Sequence, residues 1–138
     1  MFFNKKEDRN NDSSFIKIAS LLIHLAKIDE NYTDKEEKII KQTLLDLGAK
    51  SNNLDNLVAK AKQCEKDTNQ ILDFTKEVKN LAEIDKIKII KSLWRIVYSD
   101  KDADIYETNL MRRLAGLLYI DSKIMGDIKE EIKNENLQ

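Results

Sequence analysis

Two short segments of the chain gather oxygen-bearing side chains at matching positions. The first segment runs from Asp29 to Glu36 and the second from Asp100 to Glu107. Each has an oxygen-bearing side chain at its positions 1, 3, 5 and 8, and alternate residues of an extended loop can point toward one centre. Hard cations such as Ca²⁺ and Mg²⁺ bind clusters of this kind. The pattern therefore predicts a divalent-cation site, whose candidate ligands are Asp100, Asp102, Asp104 and Glu107 in the second segment and Asp29, Asn31 and Glu36 in the first.

Neither acidic segment is an EF-hand. That calcium loop requires Gly at position 6 and Glu at position 12. The chain has Asp34 and Ile40 at these positions of the first segment, and Ile105 and Met111 in the second. Because the second segment holds three Asp and one Glu, it is the better candidate for a metal.

The same residues have an alternative interpretation that needs no metal. Thr33 with Glu36, and Asp104 with Glu107, have the spacing of a helix N-cap and its third-position acid. Asp100 ends the preceding helix, where the negative end of the helix dipole disfavours a carboxylate. Either a bound cation or a neighbouring Arg, such as Arg112 or Arg113, would compensate this charge. The sequence leaves these alternatives open.

The elements that position the acidic segments are helices. Apolar residues recur at helical spacing along nearly the whole chain, and no stretch has the alternation of a strand. Gly48 follows the second helix as a typical C-terminal residue, and Asp121 precedes the seventh as an N-cap. The predicted fold is all-α, with about seven helices that begin near Ser13 or Ser14, Thr33, Ser51, Asn69, Asp85, Asp104 and Asp121.

The sequence also makes predictions for one face of the first helix and one of the fifth. The first helix has a polar stripe opposite its apolar face, formed by Lys17, Ser20, His24 and Lys27. We expect the lone His24 to be a solvated surface residue. Trp94 shares the helical spacing of the apolar residues of the fifth helix, so it is predicted to pack in the core.

An internal repeat relates the two ends of the chain. Adding 71 to a residue number in the first three helices gives a similar residue in the last three, without gaps. Amphipathic helices resemble each other by chance, but Asp29 and Glu36 lie in loop and cap positions that hydrophobic spacing does not dictate. The repeat predicts two pseudo-equivalent three-helix halves joined by a central helix. The matched pairs include Ile18 and Ile89, Leu22 and Leu93, Asp29 and Asp100, Glu36 and Glu107, Lys41 and Arg112, Leu47 and Leu118, and Ser51 and Ser122.

With its two acidic segments in a doubled helical setting, the chain resembles the TerB-like domains of tellurite-resistance proteins over roughly residues 14–135. The more specific likeness is Leu-Trp-Arg-Ile-Val-Tyr-Ser-Asp at residues 93–100, and Leu-Ala-Lys-Ile-Asp at residues 25–29 is its counterpart. The chain departs from the family pattern at Glu30 and Lys101, where the family has Gly, and at Asp34 and Ile105, where it has Pro. The resemblance implies metal binding through the acidic residues and a link to tellurite or stress response. Because related domains occur in a membrane-bound J-domain co-chaperone, it also implies a protein-interaction module.

Composition limits the remaining function classes. Twenty-four basic and 25 acidic residues give a net charge of −1, which favours no nucleic-acid partner. The longest apolar run, residues 18–26, is too short for a membrane span, so we expect no membrane insertion and a cytoplasmic protein. No nucleophile–base pair or phosphate-binding Gly loop is present, so the chain is predicted not to be an enzyme. We expect a loose tail over residues 1–12, one domain over residues 13–138, and another protein as partner, with a second copy of the chain left open.

Overall fold

The chain folds into an all-helical bundle. The computed structural model describes residues 2–27, 34–67, 72–98 and 105–136, and it places the backbone but not the side chains of residues 2–11, 105–108, 110 and 136. Within these ranges the secondary structure consists of seven α-helices and one 3₁₀ turn, with no strand. The α-helices are α1 (Phe2–Ala26), α2 (Asp34–Asp46), α3 (Leu54–Asp67), α4 (Leu72–Lys79), α5 (Glu83–Tyr98), α6 (Ile105–Leu117) and α7 (Ser122–Asn136), and the 3₁₀ turn (Ser51–Asn53) precedes α3.

The predicted fold class and helix order are confirmed, with one clear difference at the start. Helix α1 begins at Phe2 rather than at Ser13 or Ser14. No Gly or Pro lies between residues 2 and 13 to stop a helix, so the helical backbone continues through this polar segment. The proposed division into a tail of residues 1–12 and a domain of residues 13–138 stays a prediction.

Helix α1 is the central element of the bundle. It packs against α2, α3, α4 and α5, and its contact with α3 is the most extensive. Every residue from Ala19 to Ile23 is fully buried. A helix with no exposed face over more than one turn must be surrounded by other elements. The apolar run in the middle of α1 therefore marks the core of the domain.

The polar residues on the stripe of α1 contact neighbouring helices. Ser20 is fully buried, and its hydroxyl donates to the Ile16 carbonyl (2.7 Å) and lies 3.2 Å from the Ala61 carbonyl of α3. Lys17 pairs with Glu77 of α4 at 3.7 Å. His24 is half-buried rather than freely solvated, and it contacts α3. These polar residues lie at the interfaces between α1 and its neighbours because α1 is enclosed on several sides.

The predicted repeat is visible in the way α2 and α6 end. At the end of α2 the Ala49 N–H donates to the Leu44 carbonyl (2.8 Å), and the Gly48 N–H donates to the Leu45 carbonyl (3.0 Å). These two bonds form a Schellman motif. The positions 71 residues later repeat both bonds, from Ile120 to Ala115 (2.9 Å) and from Tyr119 to Gly116 (3.3 Å). Gly48 and Tyr119 also share a positive φ, 110° and 57° respectively.

The N-terminus of α7 is the one that the sequence predicts. The Lys123 N–H donates to the Asp121 carboxylate at 3.0 Å, which is the contact that an N-cap Asp makes with the second residue of its helix. Ile120 and Met125 occupy the two positions of a hydrophobic staple, and both side chains are buried.

Helix α5 connects the two halves. The buried hydroxyls of Thr43 on α2 and Ser92 on α5 form a hydrogen bond to each other. On the same helix, the Lys88 ammonium donates to the Asp46 carbonyl at the end of α2 (3.1 Å), and the Lys86 ammonium donates to the Leu118 carbonyl beyond the end of α6 (3.1 Å). Cations at helix C-termini stabilise the negative end of the helix dipole. The buried apolar residues of both halves belong to one continuous core.

None of the helices in the described ranges combines the length and the apolar character needed to cross a bilayer.

Replacing the glycine near the end of α2 and the one near the end of α6 should change the stability in opposite directions. Gly48→Ala should lower the free energy of unfolding by about 1–2 kcal/mol, because an L side chain is strained at a positive φ. Gly116→Ala should raise it by about 0.5–1 kcal/mol, because Gly116 is helical and a Cβ there meets no neighbour within 4 Å. Urea denaturation of both variants checks the pair, and a loss of stability at Gly116 as large as that at Gly48 would contradict the prediction.

Candidate functional site

Most of the predicted metal ligands lie outside the described residues. This applies to Asp29, Asn31, Asp100, Asp102 and Asp104. Glu107 lies in the first turn of α6, where only the backbone is described. No group of three or more His, Cys, Asp or Glu side chains suited to a metal occurs within the described ranges. The predicted cation site stays a prediction.

Glu36 is the predicted ligand whose side chain the structure describes. It lies in the first turn of α2 and is only 2% exposed. A carboxylate in the first turn is stabilised by the positive end of the helix dipole. Glu36 is not an unpartnered charge, since it interacts with other groups of the protein. Its position fits the helix-start role that the capping alternative gives it.

The end of α1 that leads into the first acidic segment is tied to α3 through one carboxylate. The Lys27 ammonium donates to Glu65 Oε2 at 2.8 Å, and His24 Nδ1 lies 3.4 Å from Glu65 Oε1. The Glu65 side chain is only 11% exposed. One partly buried carboxylate thus faces both basic residues that the described part of α1 presents to α3 at this end.

The second half has a comparable tie at the end of α5. Arg95, the repeat equivalent of His24, donates from Nε and Nη2 to the two oxygens of Glu135 on α7, at 3.0 and 3.2 Å. This two-bond geometry is the strong form of a charge-assisted hydrogen bond. The Arg95 hydrogen bond lowers the pKa of Glu135, and the reciprocal bond raises the pKa of Arg95. Both acidic segments therefore follow a helix end that is linked to the third helix of its half.

A second ion-pair group links α2 to α3 in the first half. Lys41 lies 2.8 Å from Asp55 and 3.8 Å from Glu37, and Glu37 lies 2.7 Å from Lys62. The hydrogen bond between Lys41 and Asp55 raises the pKa of the lysine and lowers that of the aspartate. These residues are exposed enough that solvent screens the interaction.

A cleft between α5, α6 and α7 is a further feature of the second half. Its volume is about 460 Å³, and Trp94 of α5 lies at its base. Trp94 is 2% exposed and stacks on Tyr98, with ring centroids 5.9 Å apart. Its indole N–H is buried and has no hydrogen-bond acceptor in the described part of the chain. A buried donor without an acceptor costs about 1–3 kcal/mol.

Sequence reasoning placed Trp94 correctly in the core but did not find the cleft beside it. Gly126 lines the cleft and leaves open space on α7, and a single helical Gly gives no signal of a cleft by itself. The proposed bracing of Asp100 or Glu107 by Arg112 or Arg113 involves side chains outside the described ones.

These observations define a class of protein: an all-helical domain whose sequence has one acidic stretch after α1 and another after α5. The chain matches the family described as "Tellurite resistance protein TerB" over residues 15–130, which is most of its length, and it belongs to the TerB family. No curated protein and no solved structure matches the chain significantly.

The pair of Arg95 and Glu135 predicts a pH-dependent contribution to stability. The folded pKa of Glu135 lies below its unfolded value, so the contribution is complete above the ordinary Glu pKa and is lost as the pH falls through the folded pKa. Glu135→Gln should lower the free energy of unfolding at pH 7 by about 0.5 kcal/mol, since the pair is largely exposed. The difference from the wild type should disappear near pH 2–3.

Urea denaturation at pH 7 and at pH 2.5 measures this effect. Asp127→Asn is the matched control, because Asp127 is an exposed residue of the same helix that forms no ion pair with another described residue. A Glu135→Gln effect of equal size at both pH values would contradict the assignment.

Proposed function

We propose that this TerB domain is a non-catalytic binding module whose acidic segments bind a divalent cation, with Ca²⁺ or Mg²⁺ as the expected ions. The second segment, with Asp100, Asp102, Asp104 and Glu107, is the principal site, and the first is a weaker one. The bound ion prepares this end of the domain for a protein partner in the cytoplasm, within a response to tellurite or a related stress.

The observation that carries the proposal is the charge state of the helix ends beside the acidic segments. Lys27 directly precedes the first segment, and Glu65 already neutralises it across 2.8 Å. Arg95 lies in the last turn of α5, just before the second segment, and Glu135 binds it through two hydrogen bonds. These two cations already have carboxylate partners on α3 and α7. Clustered oxygen ligands favour a divalent cation such as Ca²⁺ or Mg²⁺.

The repeat supports the same proposal. The acidic positions recur 71 residues apart, and the same offset relates the helix ends at Gly48 and Tyr119. Equivalent helix ends in the two halves support equivalent roles for the acidic positions of the sequence. A pair of sites, one richer in carboxylates than the other, follows from this arrangement.

Glu36 favours a second candidate function for the first half. It is 2% exposed and already partnered, as expected of a residue that holds the start of α2. On this alternative the acidic positions only cap helices, and the domain is a scaffold or co-chaperone-type module that binds a protein partner without metal. The two candidates differ in their response to added ions.

Thermal unfolding of the full chain with Ca²⁺, Mg²⁺, Mn²⁺ or Zn²⁺, each against EDTA, tests the proposal. An ion that binds only the folded state at a hundredfold excess over its Kd should add about 2.7 kcal/mol of stability. The expected result is a rise in Tm of several degrees with Ca²⁺ or Mg²⁺. Asp100→Asn should remove this rise, whereas Asp127→Asn on the exposed face of α7 should retain it.

One outcome would overturn the cation proposal, and another would relocate its principal site. No rise in Tm with any of the four ions would leave the scaffold candidate as the better one. A rise that persists in Asp100→Asn but disappears in Asp29→Asn would transfer the principal site to the first segment. Tellurite tolerance of cells that carry Asp100→Asn in place of the wild-type gene then tests the physiological link.

A further inference from the structure

We propose that the cleft between α5, α6 and α7 binds a small organic anion with an apolar, preferably aromatic, body and a carboxylate. The cleft is lined by described residues of α5, α6 and α7, and its proposed ligand goes beyond the function proposed above. The occupant lies against Trp94, and its carboxylate faces Arg112 and Lys129.

The walls of the cleft are apolar. Trp94, Ala115 and Met125 line it, and each of these side chains is buried in the described bundle. Gly126 completes the wall on α7, and a Cβ built there would meet no other atom within 4 Å. The volume of about 460 Å³ lies within the range of about 300–1,000 Å³ that small-molecule sites occupy. An apolar group of about ten heavy atoms fits such a space.

The polar side chains of the cleft carry positive charge. Arg112 on α6 and Lys129 on α7 both line it, together with Ser122. The Lys129 ammonium lies over the Trp94 ring, 5.6 Å from its centroid. Neither cation forms an ion pair with another described residue, and no described carboxylate lines the cleft. Two cations beside an apolar floor select a ligand that is apolar at one end and anionic at the other.

The equivalent positions of the first half carry different side chains. Its equivalent of Arg112 is Lys41, which pairs with Asp55 at 2.8 Å. Asp55 is the repeat equivalent of Gly126, so the second half lacks both this side chain and its carboxylate. The equivalent of Lys129 is Val58, which is 2% exposed and belongs to the core. Among the described residues, the second half therefore has a cation without an ion pair and a glycine where the first half has an ion pair and a carboxylate.

The indole of Trp94 gives an independent observation. Trp94 lines the cleft, and its N–H is buried and has no acceptor among the described residues. Donors of this kind are rare in folded proteins because most buried polar groups find a partner. A ligand that carries an oxygen acceptor into the cleft supplies one after a small shift of the ring.

The probe that tests the proposal is 4-phenylbutyrate, with the uncharged 4-phenylbutan-1-ol as its matched control. Trp94 is the single Trp of the chain, so its fluorescence reports directly on the cleft. The full chain should show a saturable change in Trp emission with phenylbutyrate, with a Kd on the order of 0.1–1 mM. The alcohol should bind about tenfold more weakly, because it lacks the charge that Arg112 and Lys129 recognise. Calorimetry provides a second measurement that does not depend on fluorescence.

The decisive variant is Gly126→Asp, which gives the second half the residue that the first half has at the equivalent position, Asp55. It places a carboxylate where Asp55 lies in the first half, and it should weaken phenylbutyrate binding about tenfold or more. Gly116→Asp is its control, because Gly116 is an exposed helical Gly with equal space that does not line the cleft. Arg112→Gln replaces an exposed side chain and should reduce the preference for the acid over the alcohol. Circular dichroism and thermal unfolding establish that each variant is folded.

Several results would overturn the proposal. One is the absence of saturable binding by both fluorescence and calorimetry up to about 10 mM phenylbutyrate. Another is an equal affinity for acid and alcohol, which would contradict the anionic class. Equal losses in the Gly126→Asp and Gly116→Asp variants would place the binding elsewhere. Because no residue of the acidic segments is changed, these outcomes are distinguishable from a failure of the cation proposal.

Discussion

The burial of α1 determines how the rest of the domain is built. Four other helices cover it, and its residues from Ala19 to Ile23 have no contact with solvent. A surrounded helix cannot keep a conventional polar face, so its polar side chains must find partners on neighbouring helices. Ser20 uses backbone carbonyls, while Lys17 and Lys27 use carboxylates of α4 and α3. The orientation of the helix end that precedes the first acidic segment depends on these contacts between helices.

The internal repeat accounts for the matching ends of α2 and α6. The two halves differ in the side chains that these helices carry. The backbone frame is shared, as the identical pairs of hydrogen bonds at the ends of α2 and α6 show. The side chains on this frame have diverged. The first half closes the space between its helices with Val58 and an ion pair, and the second half leaves the space open beside Trp94. Such divergence lets one copy keep its packing while the other changes its surface.

Local signals in the sequence were sufficient for the helices but not for their environments. The Gly at position 48, the cap at Asp121 and the offset of 71 residues predict helix ends because capping and periodicity act over a few residues. The start of α1 was misplaced, since a polar stretch without Gly or Pro does not by itself end a helix. The burial of Ser20 and the pairing of His24 with Glu65 depend on contacts 41 residues apart along the chain, which no local pattern encodes. The cleft at Trp94 likewise requires three helices to be placed first.

Lys86 and Lys88 link one short stretch of α5 to the C-terminal ends of two other helices. Successive helical residues are rotated by about 100°, so side chains two positions apart point in nearly opposite directions. One lysine thereby reaches the carbonyl end of α6 and the other that of α2. Acetylation removes the charge that each contact uses. Acetylation of both lysines would loosen the ends of α2 and α6 together, so α5 couples the two halves of the domain structurally.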